Sequence, residues 1–168
     1  MELVFPAMEH KQAAMEYRQE FINAGEAWIH GSAGLHHAED YEAWLEQVIS
    51  LRTKAPPGFV TGDSYFAIEE GRIVGMISIR HALNESLMNC GGHVGYGVRP
   101  TERRKGYGAA MLALALEQCR ALGILRVLVT CDKNNIASAG TIKKNGGILE
   151  NEVALDDGTI SQRYWISL

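Results

Sequence analysis

From Glu9 to about Ala24, the apolar residues Ala13, Ala14, Tyr17, Phe21 and Ile22 recur near helical spacing, which predicts an amphipathic helix that Gly25 can end. A second helical face, Tyr41, Trp44, Leu45, Val48 and Ile49, starts just after Asp40, a residue suited to accept the unpaired amides of a first helical turn. A third and broader face, Met111, Leu112, Ala115, Leu116, Cys119 and Leu122, runs from Tyr107 to Leu122, with Gly123 placed to cap its end. The stretch from about Asn135 to Asn145 predicts a last helix, closed by Gly146-Gly147.

Between the helices the pattern shortens to that of strands. Leu3 to Phe5, closed by Pro6, predicts an edge strand. After the break Pro56-Pro57-Gly58, Tyr65 to Ile68 and Ile73 to Ile79 predict a hairpin about Glu69-Glu70-Gly71-Arg72. A further strand covers about His93 to Val98. Leu125 to Cys131 is almost wholly apolar or β-branched, which predicts a central strand buried on both faces. Two final strands flank Asp156-Asp157-Gly158. The resulting order, β-α-α-β-β-β-α-β-α-β-β, predicts an α/β (α+β) chain: a mixed, mainly antiparallel sheet with helices on both faces, in three layers. We read residues 1–168 as one domain, with no internal repeat and no linker.

Composition narrows the function classes. A net charge of −4, with the basic residues spread over 168 positions, argues against a nucleic-acid footprint. No segment approaches the ~18 apolar residues of a membrane span, and the first residues lack a basic and apolar leader, so the expected location is the cytoplasm. Cys90, Cys119 and Cys131 are widely spaced with no zinc-like set of partners, so reduced core thiols and no metal are expected. The group His30, His36, His37, Glu39 and Asp40 lacks the spacing of a helical zinc motif and reads as a polar loop.

One local exception is the concentration of charge at Arg99, Arg103, Arg104 and Lys105, within Val94-Gly95-Tyr96-Gly97-Val98-Arg99-Pro100-Thr101-Glu102-Arg103-Arg104-Lys105-Gly106-Tyr107-Gly108. Here a strand passes through a basic turn into a long helix. The first amides of a helix have no intrahelical acceptor and carry the positive end of its dipole, so a phosphate fits there. Gly106 and Gly108 let a pyrophosphate approach the backbone, and the three basic residues add charge. A G-x-G pair alone would more often be only a tight turn. Other phosphate loops fit worse: no G-x-x-x-x-G-K-[ST] occurs, and Met111 stands where a dinucleotide fingerprint needs its third glycine.

This segment resembles the GNAT acetyltransferase superfamily, whose signature [QR]-x-x-G-x-[GA] is matched by Arg103-Arg104-Lys105-Gly106-Tyr107-Gly108. The resemblance continues into Val98-Arg99-Pro100 upstream, and into Asn135-x-x-Ser138 and Lys144-x-Gly146 downstream. It implies an acyl-CoA N-acyltransferase fold, acetyl-CoA as co-substrate, and a primary amine of a small molecule or protein as acceptor, attacked directly in a ternary complex. By the same resemblance Arg103, Arg104, Lys105, Gly106, Tyr107 and Gly108 hold the pyrophosphate, and backbone groups near Val98 and Thr130 hold the pantetheine arm between two splayed strands. The Val98 amide polarises the acetyl carbonyl, and Asn135 and Ser138 reach the middle of the cofactor, although helix capping is the plain reading of Asn135. A homodimer is possible by the same analogy.

An amine must lose a proton before it attacks, since an ammonium with a pKa near ~10 is protonated at neutral pH. The fourth strand offers His93 and Tyr96 for catalysis, with Glu69, Glu70 and Glu102 as weaker candidates. A lone strand histidine is more often a packed residue. The tyrosine that family members often use to protonate the leaving thiolate is Ile142 here, with Tyr107 and Tyr164 as substitutes. That departure leaves open a non-catalytic acyl-CoA sensor or regulatory module. The acceptor site is expected from the N-terminal helices, the loop Thr53 to Asp63 and the final hairpin with Arg163, Tyr164 and Trp165. Trp28, Trp44, Tyr41 and His30 are candidate lining residues, against the commoner reading of such aromatics as core.

Overall fold

Local chemistry sets the element boundaries. In the computed structural model, which describes all 168 residues, the Asp40 carboxylate accepts the Ala43 amide at 2.7 Å and opens helix α2 (Tyr41–Leu51). Helix α1 (Lys11–Asn23) is entered through a single 3-10 turn and ends at Gly25 in the left-handed region, at φ 73°. Strands β2 (Gly62–Glu69) and β3 (Arg72–Arg80) are joined by Glu70 and Gly71, both at positive φ, the geometry that matches the natural twist of a hairpin.

The remaining elements are β1 (Glu2–Val4), the short helix α3 (Glu85–Asn89), β4 (Val94–Val98), α4 (Tyr107–Ala121), β5 (Arg126–Asp132), α5 (Ile136–Lys144), β6 (Ile148–Ala154) and β7 (Ile160–Ser167). Helix α3 has no counterpart in the periodicity, being one turn long and capped by Asn84, which accepts the Leu87 amide at 2.9 Å. Every other expected element is present in the expected order.

All strand pairs are antiparallel, and they fall into two sheets, β1-β2-β3-β4 and β5-β7-β6. This corrects one expectation. Strand β5 is apolar enough to be central, with Val127, Leu128 and Val129 fully buried, yet it lies at the margin of its own sheet and β7 takes the middle. Its burial comes from the helices around it and from a brief meeting with β4.

Two cores lie on opposite faces. Helices α1 and α2 press Tyr17, Phe21, Trp44 and Val48 onto Phe66, Ile73 and Met76. On the other side, Met111, Leu112, Ala115 and Cys119 of α4 pack with Ile77, Ile79, Val127, Val129 and Tyr164, joined by Ala139 and Ile142 of α5. The arrangement is thus three-layered, helices above and below the strands.

Candidate active site

The parity of the ladders determines which backbone groups are free. On β4 the Arg80 amide donates to His93 O and the Arg99 amide to Val74 O, so Gly95, Gly97 and Arg99, together with the His93 carbonyl, face β3. Tyr96 and Val98 therefore turn theirs away from it. On β5 the Lys133 amide donates to Ile160 O and the Leu168 amide to Leu125 O, which leaves Leu128 and Thr130 facing the other way, toward β4. Only at the start of β4 is that gap closed: the His93 amide donates to Leu128 O at 2.7 Å, and the Gly91 amide to the Thr130 hydroxyl at 2.8 Å. Beyond this apex the strands part. The Tyr96 and Val98 amides on one wall, and the Thr130 amide and carbonyl on the other, have no partner in the chain. Unpaired backbone of this kind in the middle of a fold calls for an extended ligand that can complete the ladder.

A cleft of about 350 Å³ occupies this gap, with Val94, Gly95, Tyr96, Thr130, Cys131, Asn135 and Ser138 among its walls. Asn135 spends its side-chain oxygen on the Ser138 amide at 3.0 Å, as a helix cap, and the Ser138 hydroxyl meets the Tyr96 hydroxyl at 2.8 Å. Ile142 is wholly buried on the core face of α5 and takes no part in the cleft.

Near the open end of the gap α4 begins. A Cβ on Gly108 would sit 3.5 Å from the Val98 side chain and 3.8 Å from the Tyr96 ring, so the first turn of this helix is a neighbour of both strand residues. The amides of Arg104, Lys105, Gly106, Tyr107 and Gly108 have no acceptor in the chain. Arg104 at φ 64° and Gly106 at φ 88° curl the backbone ahead of the helix into the concave form that gathers amides around an anion. The side chains contribute less than their sequence promised. Arg103 is tied to both Glu26 oxygens, donates to Val98 O at 3.2 Å and stacks over Phe21, while Lys105 pairs with Glu102 at 2.8 Å. Arg104 alone keeps its charge uncommitted.

His93 and Tyr96 occupy different surroundings. The His93 ring accepts the Leu128 amide on Nδ1 at 2.9 Å and packs edge-on against Trp165, so it staples the apex and does not line the cleft. Burial, and then the positive charge of Arg80, push its imidazole below the ordinary value. The unfolded chain takes up this proton near pH ~6.5 and the folded chain only at lower pH, so its contribution to stability is present above that value and is lost as the pH falls below it. We expect thermal melting of the His93→Asn variant, whose amide oxygen can still accept from Leu128, to fall less steeply than the parent's between about pH 7 and about pH 5. Tyr96 does line the cleft, and burial raises its hydroxyl above the ordinary phenol value, which keeps it protonated.

A second cleft of about 740 Å³, a volume suited to a small molecule, lies over the ends of β2 and β3, on the side of the α1–α2 connection. Its walls come from the α1–α2 connection, the segment before β2, and the ends of β3 and α3. The two clefts share His30, Gly31 and Arg80. Gly31, at φ 75°, lies so close to β4 that a Cβ there would sit 2.4 Å from Gly95 O, and a Cβ on Gly97 would sit 2.8 Å from His30 O. The bare glycines of β4 thus let the α1–α2 connection lie directly on the strand. His30 is exposed at this junction, whereas Trp44 and Tyr41 are buried in the core and Trp28 lines the larger cleft. Arg80 and the role of His30 carried no recognisable signal in the sequence, because both depend on which strands become neighbours.

Residues 16–146 match the model of the acetyltransferase (GNAT) family. No curated protein matches the chain. Among solved structures, the microcin self-immunity acetyltransferase MccE in complex with acetyl-CoA and AMP superposes with a TM-score of 0.69 at 17% identity, over 99% of this chain and 91% of that one. The ribosomal α-N-protein acetyltransferase RimL in complex with coenzyme A gives 0.71 at 15% identity, over 99% and 93%. Mycobacterium smegmatis RimJ in complex with CoA-disulfide gives 0.72 at 19% identity, over 98% and 80%.

Proposed function

Since the chain belongs to the acetyltransferase (GNAT) family, we propose that it transfers an acetyl group from acetyl-CoA to a primary amine, by direct attack with both substrates bound. The observation that carries this reading is the meeting of two clefts at β4: one edged by unpaired strand amides next to a helix N-terminus, the other sized for a small acceptor. Two reactants can thus be brought together from two clefts that share His30, Gly31 and Arg80, which is what a ternary reaction requires.

The bound thioester supplies an activated acetyl carbon and a thiolate leaving group. The amides from Arg104 to Gly108 would hold the pyrophosphate, with Arg104 as the uncommitted charge and Arg103 and Lys105 shaping the turn through Glu26 and Glu102. Tyr96 and Val98 on one side, with Thr130 on the other, would hold the pantetheine arm as an added strand, flanked by Asn135 and Ser138. The Val98 amide would donate to the carbonyl oxygen as negative charge develops on it. His30, the histidine common to the linings of both clefts, would take the proton of the attacking amine, and Tyr96, kept protonated by burial, would return one to the departing sulfur. His93 serves this scheme by holding the apex.

Thiol release from acetyl-CoA across a panel of amines and peptides tests the proposal, and acetyl-CoA binding without release under any condition would turn it into acyl-CoA sensing. With an active acceptor in hand, His30→Gln should lower kcat by about tenfold to a hundredfold, the low end for a positioned base in an open site. A loss below about threefold would move the proton path to solvent.

A further inference from the structure

Arg80 is the one arginine that reaches both clefts. It lies across β4, with its guanidinium a few ångströms above Gly95: a Cβ on that glycine would be 3.3 Å from Nη2 and 3.5 Å from Nη1 and from the Ser78 hydroxyl. Nη1 donates to Gly91 O at 2.8 Å and to Gly92 O at 3.1 Å, which fixes the plane of the group. Nε and Nη2 have no partner in the chain, and no carboxylate lies within ion-pairing distance. Asp63, an acid of the larger cleft, is already engaged, by Arg52 at 2.9 Å and by a hydrogen bond with the His81 ring at 2.9 Å. Burial lowers the Arg80 pKa, the mark of a cation removed from water without a counter-ion.

The other arginines are held differently. Arg52, Arg72, Arg99, Arg103 and Arg163 each face a glutamate or aspartate, while Arg104, Arg120 and Arg126, which face none, are exposed, and Arg18 donates to His36 O. The larger cleft also presents Ser64, Ser78 and Ser86, neutral groups that can share an anion's hydrogen bonds without competing for its charge, and Asp63, whose carboxylate Arg52 already holds. A fixed, half-buried guanidinium with one open edge is a fork for a planar anion.

We propose that Arg80 binds a carboxylate of the acceptor, so that the acceptor class is a small amine that also carries a carboxylate. This rests on the acyl-transfer reading above. Arg80 shares the lining of the larger cleft with Ser78 and with the α1–α2 connection, which favours the acceptor over the acyl donor as the source of the anion.

The test uses matched pairs: glycine, β-alanine, γ-aminobutyrate and leucine, each against its carboxamide. Binding to the CoA-loaded protein is measured by calorimetry, and turnover by thiol release with acetyl-CoA. An acid should be favoured over its amide by about tenfold or more, the discrimination expected when a charged hydrogen-bond partner is left unpaired. The preference should appear in KM, and Arg80→Gln should abolish it, so that the variant treats each acid and its amide alike at saturating acetyl-CoA. Arg80→Lys, which keeps the charge but not the fork, should retain part of it.

Equal use of acids and amides by the parent protein overturns the proposal without any variant, as does an acid preference that survives in Arg80→Gln. A preference for succinyl-CoA over butyryl-CoA that depends on Arg80, with none among acceptors, assigns the anion to the donor and also overturns it. Arg80-dependent binding of acids with no thiol release would keep the carboxylate site and refute acyl transfer. Transfer to acids and amides alike would do the reverse.

Discussion

Replacing Gly106 and Gly108 together by glutamate should weaken acetyl-CoA binding by about a thousandfold while leaving the fold intact, because the turn offers two or more charge-assisted bonds worth roughly 1.5–3 kcal/mol each. Both sites have room: a Cβ on Gly106 meets nothing within 4 Å, and the nearest neighbour of one on Gly108 is the Thr141 hydroxyl at 3.4 Å. The left-handed backbone at Gly106 costs a side chain about 1–2 kcal/mol, which a folded domain can bear. The new carboxylates suit a helix N-terminus, so they would occupy the amides themselves and repel phosphate. Calorimetry with CoA, alongside a melting curve, separates the two effects. Unchanged affinity in a folded double variant would remove the phosphate from this turn.

Gly31→Ala should act on the opposite quantity. Its Cβ would lie 2.4 Å from Gly95 O and 2.8 Å from the Tyr96 Cα, both backbone atoms that cannot step aside, and its φ of 75° disfavours any side chain. Strain of both kinds should cost about 3 kcal/mol, and a chain of this size should then melt roughly 6 to 12 °C lower. Gly34→Ala is the control. It shares the left-handed φ, at 88°, but meets nothing within 4 Å, so it should cost only about 1 kcal/mol. Equal losses in the two variants would mean that the α1–α2 connection does not bear on β4 as described. Acceptor turnover should fall with Gly31→Ala more than CoA affinity does, since Gly31 is a wall of both clefts but lies outside the phosphate turn.

The helices were legible because their signals are local. Asp40 caps α2, glycines end α1 and α4, and the turn from Arg103 to Gly108 curls before α4 as its glycines required. Strand order was less accessible. The apolar run in β5 describes a strand surrounded by side chains, and periodicity cannot tell whether these come from partner strands or from helices above and below. The chemistry was least legible where it depends on register. His93 looked like a base because an imidazole beside a glycine-rich strand can be one, but residue 93 falls opposite Leu128, whose amide takes its Nδ1. Arg103 and Lys105 looked like free charges beside the phosphate turn, but Arg103 is paired with Glu26, far away in sequence, and Lys105 with Glu102, three residues before it. Arg80 looked like the polar end of a strand, and became notable only when three-dimensional proximity withheld an acid from it.

The parting of β4 from β5 has a consequence for the lifetime of the protein. A molecule that carries an unfilled row of donors and acceptors through its centre is thermodynamically unfinished, and whatever fills that row is also a folding ligand. At a hundred times its dissociation constant, such a ligand adds about 2.7 kcal/mol and depletes the protease-sensitive, opened population about a hundredfold. Turnover of the protein would then follow the local supply of that ligand, so that scarcity removes the chain itself as well as slowing what it does.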